Sequence, residues 1–350
     1  MARSLVPKTR IPIRHLLLFG WMPGILKKAA YRAFLGYSIG KNVSLGLGSA
    51  VIGDHVTLGD DVEIGMLAVV QGHDIRIGRH SSVGTFTYVN CETIEIGEDA
   101  RIREQVFIGG PQLPESRFTL GSRTIVLQMT YINPTKPVTI GDDTGIGGHC
   151  LIFTHGSWLN QLDGYPVTYE PVTIGKSVWL PWRVFVMPGA TIGDGSVIGA
   201  DSLVQGAIPP SSLAVGSPAK VIRSAPDFPR PLSAEQRASL VTEMLREFDR
   251  YVSHAGVTLG EDGGWRTYAR GGLSERLFWR RGTEAVPGAR AGDTVLSERP
   301  LGDAERASFR AAGVHWLDLG GRTRSRRGSA LCEELAAFIG RYGIRLARDA

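Results

Sequence analysis

The 350-residue sequence has few cysteines and no long apolar run. Its three cysteines, Cys91, Cys150 and Cys332, lie far apart and form no CxxC pair. This excludes a disulfide framework and favours a reducing compartment, the cytoplasm. The longest uncharged apolar stretch near the N-terminus, residues 15–26, is shorter than the about 20 residues that cross a bilayer.

Acidic residues are absent from the first 53 residues, which contain eight Lys or Arg. The N-terminal segment, residues 1–38, combines this charge with apolar side chains and has two interpretations. It is either a helix that caps the following domain or a peripheral contact with the anionic inner face of a membrane. The basic residues available for the membrane contact are Arg10, Arg14, Lys27, Lys28 and Arg32.

Lysine is absent from residues 229–350, which contain 20 Arg and 16 acidic residues. Because the two signs are interleaved, we do not expect nucleic acid as a partner. The segment before it, residues 223–232, has three prolines and is predicted to be a linker.

Glycine is abundant, with 45 residues, or about 13% against about 7% in an average protein, and its placement is periodic. An aliphatic residue followed by glycine recurs between Ile39 and Ile198, mostly in steps of six or multiples of six. A short strand and a tight turn use about six residues, and three such units close a triangular coil that is stabilised by its neighbours. The pattern therefore indicates a parallel β-solenoid.

Two segments interrupt the six-residue phase, residues 110–137 and residues 156–171. Long loops inside a solenoid are usually functional or disordered. Both segments contain aromatic residues and prolines, so we expect ordered loops that leave the solenoid and line a site.

The C-terminal region, residues 233–350, is predicted to be a small α/β or α+β domain of undefined role. Ser233 and Gln236 have the spacing of a capping box, and apolar residues follow it at helical intervals. Further elements are expected as strands near 265–270, 275–281, 293–298 and 314–319, and as a helix over 329–341.

Two passages resemble the hexapeptide-repeat acyltransferases. The first is GGHCLIFTHG, residues 147–156; the second, residues 171–223, contains VWL, PGATIG and the closing GSPAKVIR. They are similar to the branch that includes serine, galactoside, xenobiotic and capsule-type O-acetyltransferases. The resemblance implies a mainly β fold, a left-handed parallel β-helix over residues 39–222. It also implies transfer of an acyl group from acetyl-CoA to a hydroxyl of a sugar or glycan precursor, as in polysaccharide biosynthesis, by a homotrimer.

The same resemblance implies roles for individual residues. His155 matches the general base, and His149 is a second candidate. Asp163 and Glu170 are the nearest carboxylates that could orient the base. The positions that match the CoA-binding set are Trp179, Trp182, Ala200, Ser202, Gly216, Ser217, Lys220 and Arg223. No metal site is predicted.

One departure from the branch concerns the donor. Where the branch has Trp-Ile-Gly, this sequence has Trp179-Leu-Pro181-Trp182. Proline removes a backbone donor, and Trp182 either stacks on the cofactor or narrows its slot. Another acyl-CoA or an acyl carrier therefore stays open as the donor.

Three alternatives stay open for the function. A non-catalytic scaffold or binding protein would use the same solenoid, as would an N-acetyltransferase acting on an amino sugar. A zinc-dependent carbonic anhydrase-like enzyme would need three converging histidines. The VVQGHD motif at 69–74 is similar to the entry motif of that class, except that Gln71 stands where an arginine is expected.

Overall fold

The computed structural model describes residues 13–111 and 113–349. Its chain divides between residues 231 and 232 into two compact units. Arg10 of the basic N-terminal segment lies outside the described residues.

The first unit is a triangular prism of three parallel sheets, here called faces 1, 2 and 3. Successive strands lie on the three faces in rotation, and each pairs with its equivalent in the next coil. The predicted parallel β-helix is thereby confirmed. Where the chain turns from one face to the next, it forms a corner, named by the two faces that meet.

The strands of the prism are short. Face 1 contains Ser38–Ile39, His55–Leu58, Asp74–Ile77, Thr93–Ile96, Arg117–Leu120, Val138–Ile140, Val172–Ile174, Thr191–Ile192 and Ala207–Ile208. Face 2 contains Ser44–Leu45, Glu63–Ile64, Ser82–Val83, Arg101–Ile102, Ile125–Val126, Gly145–Ile146, Trp179–Leu180, Val197–Ile198, Leu213–Gly216 and the antiparallel Ala219–Arg223. Face 3 contains Ala50–Ile52, Val69–Gln71, Tyr88–Asn90, Phe107–Gly109, Tyr131–Asn133, Leu151–Phe153, Phe185–Val186 and Leu203–Val204.

Aliphatic side chains fill the prism in columns. On face 1, Leu58 pairs with Ile77, Ile77 with Ile96, and Ile96 with Leu120. All of them are at most 4% exposed. The six-residue phase therefore reflects an inward aliphatic side chain that recurs at the equivalent position of each coil, as the repeat predicted.

The prediction that residues 110–137 form a loop outside the solenoid is wrong for most of that segment. Leu120, Val126 and Ile132 are at most 1% exposed and continue the phase, and the prism already resumes at the strand Arg117–Leu120. Val126 and Ile132 are not followed by glycine, which hides their phase. Phe118, one of the aromatic residues of this segment, is fully buried in the core and does not line a site.

The N-terminal segment caps the first coil. It comprises the helical turns Ile13–His15 and Leu16–Gly20 and the helix Gly24–Leu35. The Lys27 ammonium is buried and donates to the carbonyl oxygens of Gly20 (3.2 Å), Gly46 (3.0 Å) and Ser49 (2.9 Å). Lys27 therefore satisfies backbone groups at the end of the prism, so its predicted contact with a membrane is wrong.

The neighbouring cations are also directed to the backbone. Lys28 donates to the Val43 carbonyl at 2.7 Å, and Arg32 donates to the Ile39 carbonyl at 2.7 Å. Arg14 is exposed. Within the described part of the chain, no helix is both long and apolar enough to cross a membrane.

The second unit is a mixed sheet packed against helices. Its strands, in sheet order, are Thr258–Asp262, Trp265–Arg270, Leu273–Arg280, Thr294–Ser297, His315–Asp318, Thr323–Arg324 and Ala347–Arg348. Its helices are Ala234–His254, Asp303–Ala311, Ala330–Ile339 and the 3-10 turn Gly340–Tyr342. The capping box is present at Ser233 and Gln236. Phe248, Leu317 and Leu335 meet in the core.

We expect Lys27→Met to destabilise the first unit by about 2 kcal/mol or more, because several buried carbonyl groups lose a charged donor. Lys28→Met is the matched control and should cost about 1 kcal/mol, since Lys28 makes a single such bond. Denaturant unfolding followed by circular dichroism measures both. Equal losses in the two variants would contradict the capping role of Lys27.

The pH dependence of stability, compared between the wild-type protein and Lys27→Met, tests the burial of the Lys27 charge. Burial lowers the pKa of Lys27 from 10.5 to about 8. Between these values the unfolded chain binds more protons, so the Lys27 contribution makes stability rise as the pH increases from about 8 to 10. The rise should be present in the wild-type protein and smaller in Lys27→Met.

Candidate active site

The chain leaves the prism at corner 3/1 to form a hairpin around His155. After the face 3 strand Leu151–Phe153, the strand His155–Gly156 pairs antiparallel with Thr168–Tyr169. A 3-10 turn, Gln161–Asp163, lies between the two strands, and the prism resumes at Val172–Ile174. The second predicted interruption, residues 156–171, is therefore an ordered excursion that begins at the predicted base.

Three side chains hold the His155 ring. Its Nδ1 lies 3.2 Å from Oδ1 of Asn133. The ring stacks on Tyr169, with centroids 5.7 Å apart and planes 15° from parallel. Phe153 lies on another side, at 6.4 Å between centroids. The imidazole is half-buried and fixed in orientation.

The hydrogen bonds of Asn133 determine which His155 nitrogen carries the proton. The Asn133 side chain is buried, and its Oδ1 also accepts from the Thr135 backbone N–H (3.2 Å) and hydroxyl (2.7 Å). Because a backbone N–H can only donate, Oδ1 is the acceptor and Nδ1 of His155 is the donor. Neutral His155 therefore keeps a lone pair on Nε2, which is the form of a general base.

Gly110 makes room for Asn133. A Cβ atom at residue 110 would lie 2.5 Å from Oδ1 of Asn133. Sequence reasoning missed Asn133, which is paired with Phe153 in the next coil. The prediction of a loop over residues 110–137 conceals this pairing.

The predicted orienting carboxylates lie near His155 in the chain but do not bond to it. Asp163 is exposed in the 3-10 turn. Glu170 is exposed, its backbone N–H donates to the Thr154 carbonyl, and its carboxylate lies over Gly189. Among the described residues, the hydrogen-bond partner of His155 is Asn133. Roles for Asp163 and Glu170 stay predictions.

His149 precedes the strand Leu151–Phe153, at corner 2/3, whereas His155 follows that strand. It is an exposed turn residue with a φ of 56°. Its ring centroid is 6.0 Å from that of Trp182. The strand Leu151–Phe153 thus separates the two predicted histidines.

Several of the predicted CoA-binding residues lie together at corner 2/3. Trp182 and Ala200 occupy this corner on successive coils, where the Asp201 N–H donates to the Trp182 carbonyl at 3.1 Å. Gly216 follows one coil later, and its N–H donates to the Ser202 hydroxyl at 3.0 Å. The hydroxyl of Ser202 is therefore engaged within the protein.

The remaining predicted CoA-binding residues lie on or beside face 2. Trp179 is exposed on a face 2 strand. Lys220 and Arg223 are exposed on the antiparallel strand Ala219–Arg223, and Ser217 is exposed in the turn before it. The Trp182 ring lies against Gly148, where a Cβ atom would be 2.1 Å from it. Gly148 therefore leaves the space that the Trp182 ring occupies.

One cluster in the described part of the chain has the composition of a metal site. His55, His73 and Asp74 have ligand atoms within 4.8 Å of one another at corner 3/1. Nδ1 of His73 lies 3.1 Å from Asp74, and its Nε2 lies 3.3 Å from Asp54. The hydrogen bond to Asp74 and the nearby carboxylates raise the pKa of His73. The cluster supplies two histidines, fewer than the carbonic anhydrase alternative requires.

Known relatives of the chain are acetyltransferases. No family model matches the sequence. A probable acetyltransferase of Mycobacterium tuberculosis is 31% identical over 134 residues, covering 37% of this chain and 44% of that protein. The galactoside O-acetyltransferase of Escherichia coli is 38% identical over 126 residues, covering 33% and 60%. The chain thus spans about half the length of these curated relatives. They confirm the predicted resemblance to the hexapeptide-repeat acetyltransferases.

Solved structures give more remote likenesses. A galactoside acetyltransferase solved with coenzyme A is 21% identical, with a TM-score of 0.27, over 61% of this chain and 79% of that one. A UDP-N-acetylglucosamine acyltransferase from Bacteroides fragilis is 15% identical, with a TM-score of 0.40, over 54% and 70%.

We expect Asn133→Ala to release the His155 ring and to redistribute its proton between Nδ1 and Nε2. Nitrogen-detected NMR of labelled histidine should show mainly Nδ1–H in the wild-type protein and a mixture in the variant. Asn133→Asp is the matched control, because a carboxylate also accepts from Nδ1. An unchanged tautomer ratio in Asn133→Ala would contradict the proposed orientation.

Proposed function

We propose that the protein is an acyltransferase that moves an acetyl group from acetyl-CoA to a hydroxyl of a sugar or glycan precursor. The observation that carries this proposal is the hydrogen bond of 3.2 Å between His155 Nδ1 and Asn133 Oδ1. This bond leaves Nε2 of His155 free to act as a base, at the point where the hairpin leaves the prism. The matched relatives, which are acetyltransferases, support the same reaction.

In the proposed mechanism, His155 handles the proton. Nε2 accepts the proton of the acceptor hydroxyl, and the oxygen of that hydroxyl bonds to the thioester carbonyl carbon. When the carbon–sulfur bond breaks, the imidazolium returns the proton to the departing sulfur. Asn133 keeps the ring in place through its bond to Nδ1, so both transfers use the same nitrogen.

The donor would lie along corner 2/3 of the closing coils and, because His155 lies at corner 3/1 of the same chain, it would meet the His155 of a neighbouring subunit in the homotrimer proposed below. Trp182, Ala200 and Gly216 occupy this corner on successive coils. Lys220 and Arg223 provide exposed positive charge for phosphates. Acetyl-CoA supplies the activated thioester. Since Trp182 stands in this surface, longer acyl-CoA and acyl carrier donors belong in the same assays.

His155→Ala should lower acetyl transfer by about 10²–10⁴-fold through loss of the general base. Thiol release from acetyl-CoA, followed with a chromogenic reagent across a panel of sugars and amino sugars, measures it. His149→Ala is the control, because His149 lies in the turn before the strand Leu151–Phe153, at the opposite corner, and it should retain activity. Full activity in His155→Ala would refute the base; absence of acceptor-dependent release in the wild-type protein would favour a scaffold.

We also propose self-association as a homotrimer, with a row of apolar side chains at corner 2/3 as the contact surface. This apolar edge consists of Leu47, Met66, Leu67, Phe86 and Met129, each between 41% and 56% exposed. Exposed apolar residues aligned along one edge are typical of a protein–protein contact. The number of subunits rests on the family resemblance.

A peripheral membrane contact is a second proposal, for a protein that we place in the cytoplasm. Six large apolar side chains of the N-terminal segment are between 58% and 79% exposed: Ile13, Leu17, Leu18, Trp21, Ile25 and Leu26. With Lys27 buried, this apolar surface and the exposed Arg14 support contact with an anionic bilayer.

The double variant Leu17→Asp, Leu18→Asp should abolish pelleting with anionic liposomes at low salt, because apolar insertion is replaced by charge repulsion. Leu273→Asp, an exposed leucine of the second unit, is the control and should pellet like the wild-type protein. If the wild-type protein does not pellet, the membrane contact is refuted.

A further inference from the structure

Two histidines and two aspartates meet at corner 3/1 near the N-terminal end of the prism. One coil contributes Asp54 and His55, and the next contributes His73 and Asp74. His55 is paired in register with Asp74, and the ring of His73 contacts Asp54. The order of the two residue types is reversed between the coils, so each histidine lies opposite an aspartate. We call these four residues the His–Asp square.

The backbone holds the His–Asp square in place. The His73 carbonyl accepts from the backbone N–H groups of Asp54 and His55, both at 3.0 Å. Each His–Asp pair follows a glycine, and a Cβ atom at Gly53 would lie 2.8 Å from the Gly72 carbonyl oxygen. The two corners therefore stack closely, and the coil repeat of about 4.8 Å brings the four side chains within reach of one another.

The side chains of the square have the spacing of a metal site. One possible ligand atom from each of His55, His73 and Asp74 lies within 4.8 Å of the other two. The two imidazole centroids are 5.5 Å apart, with ring planes at 68°. A tetrahedral zinc ion binds N and O atoms at about 2.1 Å, which puts its ligand atoms about 3.4 Å from one another. Small side-chain rotations in this exposed cluster would close the difference.

The contacts of His73 suit a metal ligand, whichever of its nitrogens binds. Nδ1 lies 3.1 Å from Oδ2 of Asp74, and Nε2 lies 3.3 Å from Oδ2 of Asp54. A metal-binding histidine usually donates the N–H of its second ring nitrogen to a carboxylate or a carbonyl group, which fixes the ring and its tautomer. If one nitrogen of His73 coordinates an ion, one aspartate orients the ring and the other lies beside the ion.

Ion pairing within the square accounts for His73 but not for His55. In the described part of the chain, the His55 ring makes no hydrogen bond or salt bridge, although it lies beside His73 and Asp74. A cluster built for ion pairing alone would need one histidine between two carboxylates. The second imidazole has no function in such a cluster, whereas a bound cation would use its nitrogen.

The ligand types favour one class of metal ion. Imidazole nitrogen is suited to Zn²⁺ and its neighbours in the first transition row, whereas Mg²⁺ and Ca²⁺ prefer sites made of oxygen alone. A thiolate does not compete, because Cys91 in the next coil is buried and its thiol donates to the Thr93 carbonyl. Two imidazole nitrogens with one or two carboxylate oxygens match a tetrahedral zinc ion.

We propose that the His–Asp square binds one Zn²⁺ ion through His55, His73 and at least one of its aspartates. The ion would join two adjacent coils of a single chain. The strand Asp74–Ile77 lies four strands before Val172–Ile174 on face 1, so the ion is remote from His155, which precedes the latter strand. The ion would therefore stabilise the N-terminal coils and take no part in proton transfer at His155.

Titration calorimetry of the tag-free, full-length protein with ZnCl₂, after treatment with a chelator, tests the site. We expect one Zn²⁺ ion per chain, and no saturable heat with MgCl₂ or CaCl₂. His55→Ala and His73→Ala should each weaken this binding at least about tenfold, because even the loss of a group that only orients a ligand costs about 10–100-fold.

His80→Ala is the matched control. Nδ1 of His80 also lies near an aspartate of the preceding coil, Asp61, at 3.4 Å, but in the described residues this pair belongs to no cluster of possible metal ligands. The control should keep wild-type affinity. Because an ion bound only by the folded chain raises its stability, Zn²⁺ should raise the Tm of His80→Ala and of the wild-type protein but not that of His73→Ala.

X-ray absorption at the zinc edge gives a readout that needs no variant. The zinc-loaded wild-type protein should show two imidazole ligands, further oxygen ligands and no sulfur. Sulfur ligands, or fewer than two imidazoles, would overturn the proposal even if a substitution unfolds the protein. Absence of Zn²⁺ binding by the wild-type protein, or equal affinity in the wild-type protein and His73→Ala, would overturn it as well.

Discussion

The stacking of inward aliphatic side chains from coil to coil is the constraint on which the prism depends. A single coil buries too little apolar surface to be stable, so each coil requires the next. Leu58, Ile77 and Ile96 are held in register by this requirement. Because inward positions are fixed, outward positions are fixed as well. Side chains from distant parts of the sequence therefore align in columns on the surface, and the His155 environment depends on this alignment.

The same constraint explains where the chain can depart from the prism. Two departures begin at corner 3/1, one after Gly109 and one at His155, and no inward side chain is lost there. The first departure lets Asn133 pack against Gly110, and the second places His155 against Asn133. The candidate base and its partner therefore belong to successive coils, and each is positioned by an excursion that preserves the stacked core.

The sequence was sufficient to predict the solenoid and to single out His155 as the candidate base. These depend on local signals: the six-residue phase and a motif that surrounds the histidine. Asn133 depends on pairing between coils, and that pairing could be derived only if residues 117–133 were recognised as strands. The glycine criterion failed there, since Val126 and Ile132 are followed by other residues. Lys27 is another example, because nothing in a basic apolar segment distinguishes a lysine that binds backbone carbonyl groups from one that faces solvent.

The departure at Trp182 illustrates how the corner tolerates a large residue. In the preceding coil, Gly147 and Gly148 occupy the turn, and the indole ring covers Gly148. A side chain at residue 148 would exclude this position, so the glycine and the tryptophan are structurally coupled. His149 lies beside the indole ring of Trp182, with the two ring centroids 6.0 Å apart. Trp182 is thus part of the packing of corner 2/3 as well as of its exposed surface. A change of donor specificity at this corner would therefore require changes on two successive coils.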